Sequence, residues 1–96
     1  MNKKIVVAER RFEIVPKDGN ENVNRVTIRF FIPSENQENE WVCPFEIEAP
    51  GYKKTKEIYG VDSFQALSLS IEVGKASIEA LKNQYQFSFK EENLWI

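Results

Sequence analysis

No histidine occurs anywhere in these 96 residues. That absence removes the commonest general base, most zinc sites, haem ligation by His, and every Ser-His or Cys-His nucleophile pair. Cysteine is nearly absent too: Cys43 stands alone, so no disulfide forms within the chain. Long apolar runs are missing. The N-terminal Met1-Asn2-Lys3-Lys4 is followed by only four apolar residues, short of the roughly 7–15 of a secretory h-region. No stretch approaches the roughly 18 apolar residues of a membrane span. The expected setting is therefore cytoplasmic, with no membrane contact. Net charge is only −2, which gives no global attraction to nucleic acid.

What is present suits one small globular domain. Hydrophobic content of 42% and charged content of 29% are ordinary folded values. Aromatic content of 12% helps a short chain build a core, since each large ring buries roughly 150–250 Å2. Charge is unevenly spread: residues 1–32 carry seven basic and four acidic side chains, whereas 33–51 carry five Glu and no Lys or Arg.

Hydrophobic alternation predicts four strands. Over 4–15, Val6, Ala8, Phe12 and Ile14 share one parity, interrupted by Arg10 and opposed by Glu9, Arg11 and Glu13. After turn residues at 16–20, Val26, Ile28, Phe30 and Ile32 alternate with Arg25, Thr27, Arg29 and Phe31 over 23–32, giving a hairpin. The polar segment 33–40 reads as a mobile loop. A third strand, 41–48, sets Trp41, Cys43, Phe45 and Ile47 against Glu46 and Glu48, with Pro44 demanding a bulge or an edge. Ala49-Pro50-Gly51 suits a type II turn. The fourth strand, 52–59, carries Lys53, Lys54 and Lys56, side chains that blunt a sheet edge.

A helix is predicted over 62–83. Asp62 or Ser63 caps it and Gln65 stands at capping-box spacing. Phe64, Leu67, Ile71, Gly74, Ile78 and Leu81 form its apolar stripe, and Asn83 is a candidate C-cap. Tyr85, Phe87 and Phe89 then alternate over 85–90 as a short fifth strand. The chain ends in apolar Leu94-Trp95-Ile96, a candidate cover for the second sheet face. The expected fold is thus α+β: a four-stranded antiparallel meander, one long helix on one sheet face, and a short C-terminal strand.

Trp41-Val42-Cys43-Pro44-Phe45 and Gly60-Val61-Asp62-Ser63-Phe64-Gln65-Ala66-Leu67 resemble the W-x-C-P-F strand and G-x-D-S-x-Q-A-L helix opening of a family of small uncharacterised bacterial α+β domains. The resemblance spans residues 5–83. It implies a sheet followed by a helix and no particular activity, so it transfers no functional residue.

Each candidate constellation has a structural alternative. The Gly60–Ser63 opening places N–H groups where an anion binds, yet Asp62 opposes an anion and further glycines and a lysine are missing, so a helix cap is favoured. Cys43, without a basic neighbour, reads as a buried structural thiol. Glu46 and Glu48 project together as paired carboxylates of a metal-dependent hydrolase would. Without a third acid, a solvated sheet face is favoured and no cofactor or metal is expected. Arg11, Arg25 and Arg29 share the parity opposite the core, with Phe31 and Val42. Arginines with aromatics on a sheet stack RNA bases in some proteins. Here Glu9, Glu13, Glu46 and Glu48 share the face and neutralise it, which disfavours nucleic acid. Ile5, Val7, Phe31 and Val42 fall on the side away from the helix. The candidate interaction face is therefore Arg11, Arg25, Arg29, Phe31 and Val42. Three readings follow: a non-enzymatic binding domain acting through this face on a protein partner or as a homodimer, a nucleic-acid-binding sheet, or a small metal-dependent hydrolase.

Overall fold

The computed structural model describes residues 4–16, 24–84 and 87–89. Its elements run β1 (Val6–Pro16), β2 (Asn24–Phe31), β3 (Ser34–Glu35), β4 (Trp41–Ala49), β5 (Tyr52–Gly60), α1 (Ser63–Gln84) and β6 (Phe87–Phe89). All pairings are antiparallel: β1 with β2, β2 with β4, β4 with β5, β3 with β4, and β6 with β1. The expected meander and helix are borne out as an α+β fold, and the sheet stays open. Of the turn expected at 16–20, Pro16 ends β1 and 17–20 lie outside the described residues, as do Tyr85 and the terminal Leu94-Trp95-Ile96. Asn83 lies inside α1, which continues to Gln84.

Phe12, Val26, Ile28, Phe30, Phe45, Ile47 and Ile58 face α1 from the sheet, and Ile78 and Leu81 answer from the helix. The buried helix line differs from the expected stripe. Ala66, Ser70, Gly74 and Ile78, spaced by four, are buried, whereas Phe64 is 79% and Ile71 38% exposed. Its first three members are small because the line runs directly over core side chains of the sheet. A Cβ on Gly74 would come within 2.9 Å of Ile28 Cδ1 and of the Phe30 ring. The bulky side chains instead stand at the flanks, where there is room for them.

The N-terminus of α1 is capped as the sequence implies. The Gln65 N–H donates to Asp62 Oδ1 at 2.7 Å, and Gln65 Oε1 reaches back to accept from the Val61 N–H at 2.7 Å. Gly60 is needed just before this cap, since a Cβ there would lie 2.5 Å from the Ala66 backbone nitrogen.

Three local features depart from the expected strands. A register shift between Val6 and Ala8 places Val6, not Val7, opposite Phe31. The shift comes before Arg10, which remains opposite Ile28 on the helix side, away from the other arginines. Segment 33–40 is not a plain loop. Ser34 and Glu35 pair with Val42 and Trp41 as β3, continuing the line of β2 along the same edge of β4. Asn36 Oδ1 then accepts from the N–H groups of Glu38 and Glu40, and Asn39 takes φ 63°, closing a tight turn. Finally, β4 and β5 stay in step through Pro44, which faces Glu57. The irregularity demanded by Pro44 falls on the other edge, between the Phe30–Phe45 and Ser34–Val42 pairs, beside Ile32 and Pro33.

Candidate functional site

The sheet face away from α1 is built by the odd residues of β1 and β2 from Glu9 to Phe31, the even residues of β4, and the odd residues of β5. Register fixes their order. Glu9 faces Arg29, which faces Glu46; Arg11 faces Thr27, which faces Glu48; Glu13 faces Arg25. Arg11, Arg25 and Arg29 accordingly line one shallow depression with Thr27, Glu48 and Pro50.

That depression is internally neutralised. Arg29 Nε lies 2.8 Å from Glu9 Oε2, and its Nη1 lies 3.2 Å from Glu48 and 3.6 Å from Glu46. Arg11 Nη2 lies 2.9 Å from Glu9 Oε1, and Lys53 Nζ 3.0 Å from Glu46 Oε1. Partial burial works against the Arg29 charge, but the hydrogen bonds it donates to Glu9 and Glu48 and their negative charge outweigh it and raise its pKa above the ordinary guanidinium value. Glu46 likewise holds the Lys53 ammonium charged. Glu46 and Glu48 are thus engaged by cations. Among the described residues no group of three His, Cys, Asp or Glu side chains is arranged to hold a metal ion.

Phe31 and Val42 lie beyond this network, toward the end of the face where β5 runs into α1. There Val42 faces Tyr59 and Pro44 faces Glu57. Phe31, Val42 and Pro44 floor a pocket of about 290 Å3 whose rim includes Lys4, Asn36 and Tyr59. Phe31 is buried, and Lys4 Nζ sits 5.5 Å above its ring, a cation–π contact. Its ring is therefore shielded from stacking on a base. The Tyr59 hydroxyl donates to Glu57 Oε2 at 3.1 Å. That bond raises the phenol pKa first, followed by the charge of Glu57 and of the more distant Glu40 and Glu38. An acidic groove lined by Glu35, Glu38 and Glu40 adjoins the pocket and shares Asn36 and Tyr59 with it.

Sequence reasoning missed Pro44, Tyr59 and Lys4 as parts of this site. The first two were within reach: a tight Pro50-Gly51 turn, with Gly51 at φ 71°, pairs Ala49 with Tyr52 and so puts Tyr59 opposite Val42. Lys4 carried no signal, because its placement depends on the shift at Val6.

Cys43 lies on the opposite, core side of β4. It is fully buried, and its Sγ donates to the Phe31 carbonyl at 3.2 Å. Burial pushes the thiol pKa up, and the adjacent Ser70 hydroxyl tempers the rise. Ser70 Oγ itself is buried without a well-aligned partner, so its contact with the thiol is a weak one. This is an inert thiol.

No helix among the described residues is long and apolar enough to cross a membrane. Residues 8–93 match the family described as a domain of unknown function (DUF6968). No curated protein and no solved structure matches the chain. The chain belongs to this family of unknown function, whose match spans nearly the whole fold.

Proposed function

We propose that this family member is a non-enzymatic interaction domain that docks a protein partner on the apolar end of its open sheet face. One observation carries the reading: the face is divided. Its arginine end is closed by its own carboxylates, while its other end offers a pocket that sets Phe31, Val42 and Pro44 among polar Lys4, Asn36 and Glu57. Tyr59 at 48%, Ile32 at 42% and Val61 at 81% exposure continue apolar surface around that end. Contiguous apolar surface bordered by polar residues is characteristic of protein contact sites. Of the five candidate face residues, this reading retains Phe31 and Val42 and assigns Arg11 and Arg29 to the ion-paired scaffold, with Arg25 lining the same depression opposite Glu13.

The test is site-specific photocrosslinking in cells of the source organism. A benzophenone amino acid at position 42 is compared with one at position 79, on the outer face of α1. Position 42 should give discrete crosslinked bands that position 79 lacks. Equal patterns, or no adduct from position 42, would sink the reading.

A further inference from the structure

The pocket is not electrostatically neutral ground. Its floor is apolar, but the groove continuing from it past Asn36 and Tyr59 is lined by Glu35, Glu38 and Glu40, with Glu57 on the near wall. Lys4, the one cation on this rim among the described residues, is drawn over the Phe31 ring. The turn that carries the acids is held in shape: the Asn36 N–H donates to the Glu40 carbonyl at 2.9 Å, and the Asn36 side-chain oxygen ties in Glu38 and Glu40. No cation bridging Glu35 or Glu38 occurs among the described residues, unlike Glu9, Glu46 and Glu48 at the other end of the face. The charges around Tyr59 are close enough to resist its ionisation. A preformed apolar cup beside unneutralised carboxylates has a defined complement: a large apolar side chain followed by basic ones.

We propose that the partner segment is basic, presenting an aromatic or large aliphatic anchor flanked by Lys or Arg. The anchor displaces the Lys4 side chain from the Phe31 ring and fills the cup over Phe31, Val42 and Pro44, and the flanking cations lie along Glu35, Glu38 and Glu40. The apolar cup supplies most of the affinity, in the manner of a buried hot spot. The acidic groove sets direction and speeds encounter, so binding weakens as salt rises. This rests on the interaction-domain reading and specifies the partner that reading leaves open.

The probe is a synthetic peptide of sequence Gly-Arg-Lys-Phe-Arg-Lys-Gly, capped at both ends and titrated into the isotope-labelled full chain at low salt. Its controls replace the four basic residues by Glu, or Phe by Ala. The basic peptide should shift the amide signals of Phe31, Ser34, Val42 and Tyr59 and leave those of α1 in place. The Ala peptide should bind at least about tenfold more weakly, as loss of a buried anchor requires, and the acidic peptide should not bind. The double variant Glu35→Lys/Glu38→Lys alters exposed side chains only and should reverse the preference between basic and acidic peptides. Binding of the acidic peptide, shifts confined to other surfaces, or no binding of any peptide overturns the proposal. So does a concentration-dependent dimer whose interface is this pocket. If crosslinks from position 42 appear while the basic peptide fails, the interaction domain stands and the basic partner falls. If neither appears, both fall.

Discussion

Gly74 sits where helix propensity and packing give opposite answers. Ala is favoured over Gly inside a helix by about 1 kcal/mol, so propensity alone makes Gly74→Ala stabilising. The added methyl would sit 2.9 Å from both Ile28 Cδ1 and the Phe30 ring, and both side chains are buried in the core. Overpacking a core typically costs about 1–3 kcal/mol, so a net loss is expected, read as a lower denaturation midpoint in urea. A gain would mean that Ile28 and Phe30 give way to the methyl without penalty. Cys43 gives a second residue-level expectation. Buried and bonded to the Phe31 carbonyl, it should resist alkylation by iodoacetamide until the chain unfolds. Its thiol pKa is raised in the fold, so the folded state keeps the proton. The stability this contributes is complete below the unfolded thiol's pKa, near 8.5. It is lost as pH rises from there through the folded value. The Cys43→Ala variant should therefore lose less stability between neutral and alkaline pH than the wild type, whatever its absolute stability. Parallel curves would show that the thiol ionises equally in both states.

The strands and the helix were legible because each has a clean period, and the places where legibility failed share one cause. Alternation along a single strand cannot reveal a register shift set by its neighbour, so Val6 was expected on the wrong face. Ser34 and Glu35 form β3 only because β4 offers Trp41 and Val42 an edge there. Ala66 and Ser70 stood outside the expected apolar stripe, yet close approach selects for small side chains. Within the candidate site, the arginine set was legible from parity and its neutralisation from the neighbouring Glu residues. The Tyr59 wall needed the β4–β5 register. At this scale the β1–β2–β4 ladder makes its own prediction. Arg29 is the one guanidinium contacting Glu9, Glu46 and Glu48 together. An isolated exposed pair contributes about 0–1 kcal/mol, but Arg29→Gln removes the cation that three carboxylates share, leaving Glu9 to Arg11 and Glu46 to Lys53. The expected cost is about 1 kcal/mol at pH 7, the upper end for surface pairs because they form a network. The deficit should shrink in about 1 M salt, where the charges are screened within roughly 3 Å. An equal deficit at low and high salt would show that Arg29 acts through packing and not through charge.

Across the whole molecule, one sheet face carries two chemistries in sequence, and its basic end is the one that invites a nucleic-acid reading. Polyanion binding rests on releasing counterions from phosphates, so it requires lysines and arginines free to contact them. Arg29 and Arg11 are already bonded to Glu9, and Lys53 to Glu46. A phosphate approaching the depression must displace those carboxylates or accept their repulsion, and the chain as a whole is negative. The protein should therefore pass through heparin without retention at about 0.15 M salt, where charges farther apart than roughly 8 Å are screened. The informative variant is Glu46→Gln/Glu48→Gln. It frees Lys53 entirely and Arg29 in part, and raises the net charge from −2 to zero. Weak retention that vanishes steeply with salt is expected from this variant and not from the wild type. Such a result would assign the silence of the arginine end to its own carboxylates, since the backbone and every basic side chain are unchanged. Wild-type retention at 0.15 M would instead mean that the ion pairs yield to phosphate, and the division of the face on which partner docking is argued would lose its basis.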